Sequence, residues 1–411
     1  MSRFLASRSR AAGEAFRRRR GPELTPTVEV EGYFFTQSVA SDRATAEAGR
    51  ATGPLVDGDL VVVCDGEVYS RRAGLGTPEV VLRLYRRHGE DFARHLDGEL
   101  AVAVYDFGRR LLLLATDPFG TKPLFAKGTE AASYLCDLEG GKRLAPNTLQ
   151  VAELDGPGCR TSVVEPFDFD HQQKESYDDW IAAFERAVCK RAVEGCYLPL
   201  SAGYDSGGID CALAALGMEY KAYSIVAGEN EELVRRRNRR GEILSMDRAT
   251  FDERKALLSR SPEASSFRVA IANDDGSEVT YDALEDPASC GLALIHALAC
   301  AEGRCVSLSG TGGDETLAGH RRWPEVLRPW PDFAGRWGAA YQGKEELVAG
   351  VFGIEVRYPF FDRALVQELL WLSVELKSRH YKAPLHEYLT RKGYPFDEGV
   401  KTGFLPLKGS A

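Results

Sequence analysis

The sequence lacks the features that mark several specialised protein classes, and the first of these is a pattern of paired cysteines. None of the nine cysteines forms a C-x-x-C pair, and the closest two are Cys300 and Cys305. This spacing indicates neither a zinc site nor a disulfide framework. We therefore expect a protein of the reducing cytoplasm.

Long apolar runs and a net positive charge are also missing. No stretch is apolar over the length of a membrane span, and the first residues lack the apolar core of a secretory signal. The formal net charge of −9 over 411 residues argues against a broad basic surface. We expect no membrane and no nucleic acid among the partners. A composition of 44% hydrophobic and 27% charged residues fits two or three globular domains.

Two short basic stretches are the exception. The first twenty residues carry seven arginines and one acid, Glu14, as in a transit peptide or in a basic helix that opens the first domain. We favour the helix, because the stretch runs directly into strand-like segments. Residues 234–240 hold five arginines. They either attract an acidic or phosphorylated substrate or, as we favour, form an exposed helix end.

The sequence does contain a turn suited to binding an anion. It reads S-A-G-Y-D-S at residues 201–206, after an apolar run and before a helical pattern. A strand, a tight turn and a helix N-terminus present backbone N–H groups and a positive dipole end to an anion. Ser201 and Ser206 add hydroxyl donors, and Gly203 allows close approach. The turn has no lysine, unlike the G-x-x-x-x-G-K-[ST] phosphate loop.

A second turn, S-G-T-G-G-D-E at residues 309–315, follows another apolar run. One glycine-rich turn is weak evidence, because many strands end in this way. Two turns that each supply an acid, Asp205 and Asp314, predict one shared magnesium ion, since Mg²⁺ prefers hard oxygen ligands.

The patterns around these turns predict a different fold for each half. Residues 1–170 combine an amphipathic helix with short strands and a hairpin, which indicates an α+β layered domain. Residues 171–411 repeat a strand–loop–helix–strand order. This order indicates an α/β doubly wound parallel sheet with the nucleotide at the carboxyl ends of its strands. Residues 241–282 show no clear periodicity.

The first half resembles the Ntn-hydrolase-like αββα domain of class II glutamine amidotransferases. The motifs are R-G-P-E at 20–23, D-G-E-V-Y at 65–69, L-D-G-E-L from 96 and D-P-F-G-T-K-P-L-F at 117–125. In that family an N-terminal cysteine on a first strand is the nucleophile. Here the second residue is a serine, Ser2, and we expect the first strand to be missing. The cysteines of this half, Cys64, Cys136 and Cys159, are not N-terminal. The resemblance implies a degenerate glutaminase-like domain that does not hydrolyse glutamine.

The second half resembles the asparagine synthetase and β-lactam synthetase family, whose synthetase domain is of the PP-loop ATP pyrophosphatase type. Besides the two turns, the chain has R-Y-P-F-F-D at 357–362 and K-T-G-F-L-P at 401–406, in the family's order. The resemblance implies ATP and Mg²⁺ as cofactors. ATP is split between its α and β phosphates, a carboxylate is adenylated with release of pyrophosphate, and an amine displaces AMP to form an amide.

The same resemblance implies the roles of individual residues. Asp205 and Asp314 are the expected metal ligands, and Lys401 is the expected catalytic cation at the α-phosphate. Arg357 and Asp362 either order the site or form an internal ion pair that fixes a helix. The residues expected to bind ATP and pyrophosphate are Ser201, Ala202, Gly203, Tyr204, Asp205, Ser206, Ser224, Val226 and Gly310.

The base that deprotonates the amine is left open. Thr311 stands where many relatives carry an acid, and a threonine cannot accept a proton at neutral pH. Either Glu315 or a substrate group accepts it, or the amine arrives neutral, or the chemistry is impaired. The seven histidines show no ligand spacing beyond that of His380 with His386.

We expect an ATP-dependent carbon–nitrogen ligase that joins a small-molecule or peptide carboxylate to an amine or ammonia without glutamine. An intramolecular cyclisation, as in β-lactam synthetases, is one case of this chemistry, and a ligase of natural-product biosynthesis is another. The alternative is a catalytically impaired nucleotide-binding scaffold of the same fold. It is favoured by Thr311, by Pro199 and by Ala202, which stands where the family's S-G-G-x-D-S loop has its first glycine. An adenylating enzyme acting on tRNA would need a basic surface. A homodimer is left open.

Overall fold

The computed structural model describes residues 3–20, 26–38, 53–69, 75–165, 167–226, 230–239, 241–264, 268–272, 278–317 and 339–398. It divides into two compact units. The first comprises Met1–Pro166 and Pro262–Ser266, and the second comprises Phe167–Ser261 and Phe267–Ala411. Within the described ranges no helix is long and apolar enough to cross a membrane.

The first unit contains two six-stranded antiparallel sheets. Their strand orders are β10-β8-β9-β1-β3-β2 and β12-β11-β7-β6-β5-β4. The strands are β1 (Arg3–Ser7), β2 (Thr27–Val30), β3 (Tyr33–Ser38), β4 (Leu55–Asp57), β5 (Leu60–Val68), β6 (Gly98–Asp106), β7 (Leu111–Thr116), β8 (Phe125–Lys127), β9 (Glu130–Ala132), β10 (Lys142–Arg143), β11 (Thr148–Glu153) and β12 (Cys159–Val163).

The two sheets pack face to face with a helix on each outer face. Phe4 and Ala6 of β1 lie in the core between the sheets, whereas Leu5 packs against helix α1 (Arg10–Arg20). Successive side chains of a strand point to opposite faces, so β1 is buried on both of its faces. Helix α2 (Thr77–His88) covers the outer face of the second sheet. The predicted αββα layering of this α+β half is confirmed.

The expectation that a first strand is missing is wrong. Arg3–Ser7 forms β1, which pairs with β3 and β9. The strand is buried along its whole length, so its apolar residues form a short run without polar alternation. Such a run cannot be assigned from periodicity alone. The basic stretch that follows forms helix α1, as favoured from the sequence.

The second unit is built on five parallel strands in the order β15-β14-β13-β18-β19. If the five strands are numbered by their order along the chain, their order across the sheet is 3-2-1-4-5. Successive strands are therefore added on one side of β13 first and then on the other side, beginning with β18. At such a switch point the connections leave the sheet on opposite faces and open a crevice at its carboxyl edge. One glycine-rich turn follows β13 and the other follows β18. The strands are β13 (Tyr197–Pro199), β14 (Lys221–Ile225), β15 (Gly241–Leu244), β18 (Val306–Leu308) and β19 (Glu355–Arg357).

Helices cover both faces of this sheet, as predicted for an α/β half. Leu198 faces the core formed with α3 (Asp178–Arg191), α4 (Tyr204–Ala215) and α12 (Ala383–Arg391). The neighbouring Tyr197 contacts His296 of α7 (Pro287–Ala301) on the opposite face. Residues 241–282, which had no clear periodicity, hold β15, α6 and an antiparallel pair, β16 (Arg268–Ala272) and β17 (Glu278–Asp282). The helices are α3 (Asp178–Arg191), α4 (Tyr204–Ala215), α5 (Glu231–Arg237), α6 (Arg248–Ser259), α7 (Pro287–Ala301), α8 (Gly313–Thr316), α9 (Ala339–Val351), α10 (Arg363–Trp371), α11 (Val374–Ser378) and α12 (Ala383–Arg391).

Candidate functional site

The first glycine-rich turn is held by its own serines. Ser206 Oγ accepts a hydrogen bond from the Ser201 amide at 3.0 Å and lies 2.9 Å from Ser201 Oγ. Ser201 Oγ accepts one from the Gly203 amide at 3.0 Å, and Gly203 is the N-cap of α4. Because the first N–H groups of a helix have no partner within it, the turn presents donors where an anion can bind.

The second turn lies directly against the first. A Cβ atom on Gly313 would be 2.2 Å from Asp205 Oδ1, and one on Gly310 would be 3.0 Å from Asp205 Cβ. A side chain at either position would push the turns apart, so the close approach depends on glycine. The sequence predicts that Gly310 lies against the nucleotide. In the structure it packs on Asp205 and Ser206 of the first turn.

The two predicted metal ligands converge on one cation, Lys382. Its Nζ lies 2.6 Å from both carboxylate oxygens of Asp205 and 2.7 Å from Asp314 Oδ1. Because a single ammonium group contacts both carboxylates, one divalent cation can also reach both. Carboxylate oxygens are the ligands that Mg²⁺ prefers. The residues present therefore fit the implied metal.

The charges of this cluster depend on one another. Burial and, to a smaller extent, the neighbouring Asp314 raise the pKa of Asp205 to about 6, against the lowering effect of Lys382. Burial alone would lower the pKa of Lys382, but the two carboxylates raise it above its usual value, so the ammonium stays charged. The cluster is thus held together by a cation between two acids.

Sequence reasoning missed Lys382, which lies outside all four motifs. It directly precedes α12, has a left-handed backbone (φ 48°, ψ 50°) and is 4% exposed. A cation at a helix N-terminus is electrostatically unfavourable, because the positive end of the helix dipole lies there. That anomaly, a lysine just before the A-P start of a helix, was the available signal.

Sequence reasoning also missed a further carboxylate, that of Glu345 on α9, which contacts the second turn. Its Oε2 accepts hydrogen bonds from Ser309 Oγ at 2.6 Å and from Thr311 Oγ1 at 2.7 Å. Burial raises the pKa of Glu345 above its usual value, against the lowering effect of both hydroxyl groups. Thr311 is therefore one part of a hydroxyl–carboxylate pair.

Glu315, one of the predicted bases, has a local structural contact. It accepts a hydrogen bond from the Gly312 amide at 2.9 Å, and burial raises its pKa. Gly312 has φ 99°, so this hydrogen bond closes a turn that needs glycine.

The other predicted nucleotide-binding residues surround the first turn. Ser224 follows Tyr223, whose carbonyl oxygen accepts a hydrogen bond at 2.8 Å from the Leu200 amide, just before the turn. The Oγ of Ser224 accepts one from Asn238 Nδ2 at 2.9 Å. Val226 packs against a small apolar cluster that includes Ala202. Tyr204 is buried, with its hydroxyl 3.4 Å from His386 Nδ1. These contacts place the residues near the turn, and their roles toward ATP stay predictions.

Lys401 and the rest of its motif lie outside the described residues, so its predicted role is untested. His380 and His386, the one pair with suggestive spacing, stack face to face with ring centroids 4.3 Å apart. Within the described ranges no group of three or more potential ligands is arranged to hold a metal ion.

Arg357 and Asp362 were expected either to order the site or to form an internal ion pair, and each has an ion-pair partner of its own. Arg357 pairs with Glu355 at 2.8 Å, whereas Asp362 pairs with Lys190 and, at 2.9 Å, with Arg191. Asp362 also caps α10 by accepting hydrogen bonds from its first amides. Burial would raise the pKa of Asp362, but Arg191 and Lys190 hold it at about 2.

Replacing Asp362 by asparagine is expected to lower the free energy of unfolding by about 3 kcal/mol at pH 7, because Arg191 would stay buried without its counter-ion. The native pKa of Asp362 lies below the ordinary value of 3.8, so its stabilisation is complete above that value and is lost as the pH falls towards 2. Urea denaturation at pH 7 and pH 3 gives the free energy of unfolding of the wild type and of the variant. The difference between them should shrink at pH 3, and equal stability at pH 7 would contradict the assignment.

Comparison with known proteins gives matches along both halves. Residues 42–136 match the family model of a glutamine amidotransferase domain. The chain is 25% identical over 388 residues to a putative glutamine-hydrolysing asparagine synthetase from Methanocaldococcus jannaschii, covering 79% of this chain and 66% of the relative. It is 24% identical to the amidase chyE of Penicillium rubens, over 72% of this chain and 54% of the relative.

A third relative is asparagine synthetase 2 of Arabidopsis thaliana, which is also glutamine-hydrolysing. It is 24% identical, over 88% of this chain and 67% of the relative. The chain thus spans between about half and two thirds of the length of these relatives. The chain is therefore similar to asparagine synthetases over most of its length, and its residues 42–136 match a glutamine amidotransferase domain.

Proposed function

We propose that this protein is an ATP-dependent ligase that adenylates a substrate carboxylate, releases pyrophosphate and passes the acyl group to an amine or to ammonia. One observation carries the proposal. Two glycine-rich turns follow neighbouring strands at a switch point of a parallel sheet, and their acids, Asp205 and Asp314, converge on one cation position.

The residues of the two turns divide the work of holding Mg·ATP. Asp205 and Asp314 would hold Mg²⁺, which when bound neutralises charge on the departing pyrophosphate. The amides at the start of α4 donate to phosphate oxygens. Lys382 is already oriented towards the same place by the two carboxylates and supplies a further positive charge to the leaving group. Lys401 stays the candidate for the α-phosphate.

The amine needs a base, and Glu345 is the side chain best suited to that role. Its carboxylate is buried, has a raised pKa and lies 2.7 Å from the Thr311 hydroxyl, on the turn that carries Asp314. A base whose pKa lies nearer to neutrality both takes and releases a proton readily. Thr311 would pass the proton to Glu345, so the threonine does not itself act as the base.

Glutamine is not the proposed nitrogen source. Cys64 lies inside strand β5 and is buried, and burial raises the pKa of its thiol far above its usual value. A thiol in that state supplies no thiolate for attack on an amide. Cys64 is therefore not a glutaminase nucleophile, and the proposed nitrogen source is ammonia or an amine, which is either a second substrate or a part of the acid itself.

The proposed independence from glutamine predicts that glutamine yields no glutamate with this protein, alone or with Mg·ATP and an acid. Release of glutamate is followed by a coupled dehydrogenase assay, with ammonium chloride as the alternative nitrogen source in parallel reactions. Glutamate formation above the rate of a protein-free blank would refute this part of the proposal.

The reaction class is tested by incubating the protein with Mg·ATP and panels of carboxylic acids and amines. The proposal requires AMP and pyrophosphate among the products. A second candidate is a nucleotide-binding scaffold without turnover. It is favoured by one observation, the threonine at position 311 in place of an acid. Mg·ATP binding by calorimetry without product from any acid or amine would favour the scaffold.

A further inference from the structure

The sequence favoured an exposed helix end for the arginine-rich stretch at residues 234–240, but one of its arginines is buried. Arg237 is 5% exposed, whereas Arg235 and Arg236 on the same helix are exposed. Its Nη1 donates hydrogen bonds to the carbonyl oxygens of Ser201 and Gly203, both at 2.8 Å. One guanidinium group thus holds two carbonyls of the first glycine-rich turn.

The same side chain contacts a second segment of the chain. Its Nε donates to the Pro395 carbonyl at 2.9 Å, and its guanidinium lies 5.2 Å from the centroid of the Tyr394 ring. Tyr394 in turn donates to Asp210 Oδ2 on α4 at 2.6 Å. Arg237 therefore connects the turn to the segment that precedes Lys401 in the sequence.

A glycine in α4 makes room for this arrangement. A Cβ atom on Gly207 would lie 2.9 Å from Arg237 Nη1 and 3.0 Å from its Cζ. Glycine inside a helix is unfavourable compared with alanine. Its presence here is explained by the space that the guanidinium occupies.

We propose that Arg237 is a positioning residue that aims two backbone amides of the turn at the pyrophosphate; this role rests on the proposed function of the turn. In a planar trans peptide the N–H group points opposite to the C=O group. Holding the carbonyls of Ser201 and Gly203 on one side therefore directs the N–H groups of Ala202 and Tyr204 to the other side. Successive amides fixed in this way form an anion-binding concavity.

Calorimetric titration with magnesium pyrophosphate and, separately, with AMP tests this role. The variants are Arg237→Met, Arg237→Lys and the matched control Arg236→Met, which removes the same charge from the exposed face of the same helix. Arg237→Met should weaken pyrophosphate binding about tenfold, the scale seen when a group that orients a binding residue is lost. Its affinity for AMP should stay unchanged, and Arg237→Lys should recover part of the loss.

Three results would overturn the role. One is pyrophosphate binding by Arg237→Met equal to that of the wild type. Another is an equal loss in Arg236→Met, because that would point to charge alone. The third is an equal loss of affinity for AMP, which would point to general damage.

Gly207→Ala gives a second route in case Arg237→Met does not fold. It keeps the arginine but displaces its guanidinium, so it should also weaken pyrophosphate binding selectively, and unchanged binding would contradict the role. A wild-type protein that binds neither Mg·ATP nor pyrophosphate would overturn the proposed function together with this role. Wild-type binding that the Arg237 and Gly207 variants retain would overturn only the role.

Discussion

Lys382→Met is expected to reduce ATP turnover by about a hundredfold or more, the usual effect of removing one group that stabilises charge in a transition state. Lys382 contacts both Asp205 and Asp314 within 2.7 Å, and in the proposed reaction these acids hold the metal beside which the charge of the leaving pyrophosphate would develop. The methionine keeps most of the side-chain volume and removes only the charge. Release of pyrophosphate in single-turnover reactions, with an acid identified in the substrate panel, measures the loss.

The same variant should also change how the protein responds to magnesium. Without Lys382, two carboxylates remain close together with no cation between them. This arrangement should cost about 2 kcal/mol of stability. The cost is smaller than is usual when a buried ion pair is broken, because both acids are partly exposed. Mg²⁺ at millimolar concentration should restore that stability in Lys382→Met and have little effect on the wild type.

Lys377→Met is the matched control for this experiment. Lys377 is also buried, but its Nζ donates to the Leu370 carbonyl and to Gln172, and burial lowers its pKa to about 8. Its replacement can destabilise the fold but should not create a response to magnesium. A magnesium response in both variants, or in neither, would contradict the placement of the metal between Asp205 and Asp314.

Glu345→Gln should have the second large effect, confined to the step in which the amine attacks. Loss of a general base typically slows a reaction by about 10²–10⁴-fold. Glutamine can still accept the hydrogen bonds from Ser309 and Thr311, so the turn and the affinity for Mg·ATP should be preserved. Isotope exchange between ATP and pyrophosphate in the presence of the acid should therefore continue while amide formation falls.

Variants of the two hydroxyl groups separate the base from its surroundings. Thr311→Val should also lower amide formation, Thr311→Ser should largely retain it, and Ser309→Ala tests the other hydrogen bond to the same carboxylate. Equal amide formation by Glu345→Gln and the wild type would exclude Glu345 as the base.

The sequence was most informative where structure is local. The two turns could be recognised because a strand end, small residues and an acid lie within a few positions of each other. The parallel order of the strands around them follows from the strand–loop–helix–strand repeat. Because both acids follow neighbouring strands, their convergence could be expected before any coordinates were known.

Groups brought to the site by distant parts of the chain could not be predicted in this way. Lys382, Glu345 and Arg237 come from three different helices or their ends, and nothing in their local sequence requires contact with the turns. Arg237 was assigned to the surface because arginine-rich helix ends are usually solvated. Its burial and its carbonyl partners in the first turn distinguish it from the exposed arginines beside it.

The central claim is that both turns hold one metal-bound triphosphate, and a double-mutant cycle tests it most directly. Calorimetry would give the free energy of Mg·ATP binding for the wild type, Asp205→Asn, Asp314→Asn and the double variant. If the two acids share one ion, either substitution removes most of its binding, and the double variant is little worse than each single one. Additive losses, or unchanged binding in either single variant, would show that the turns do not share an ion and would contradict the account.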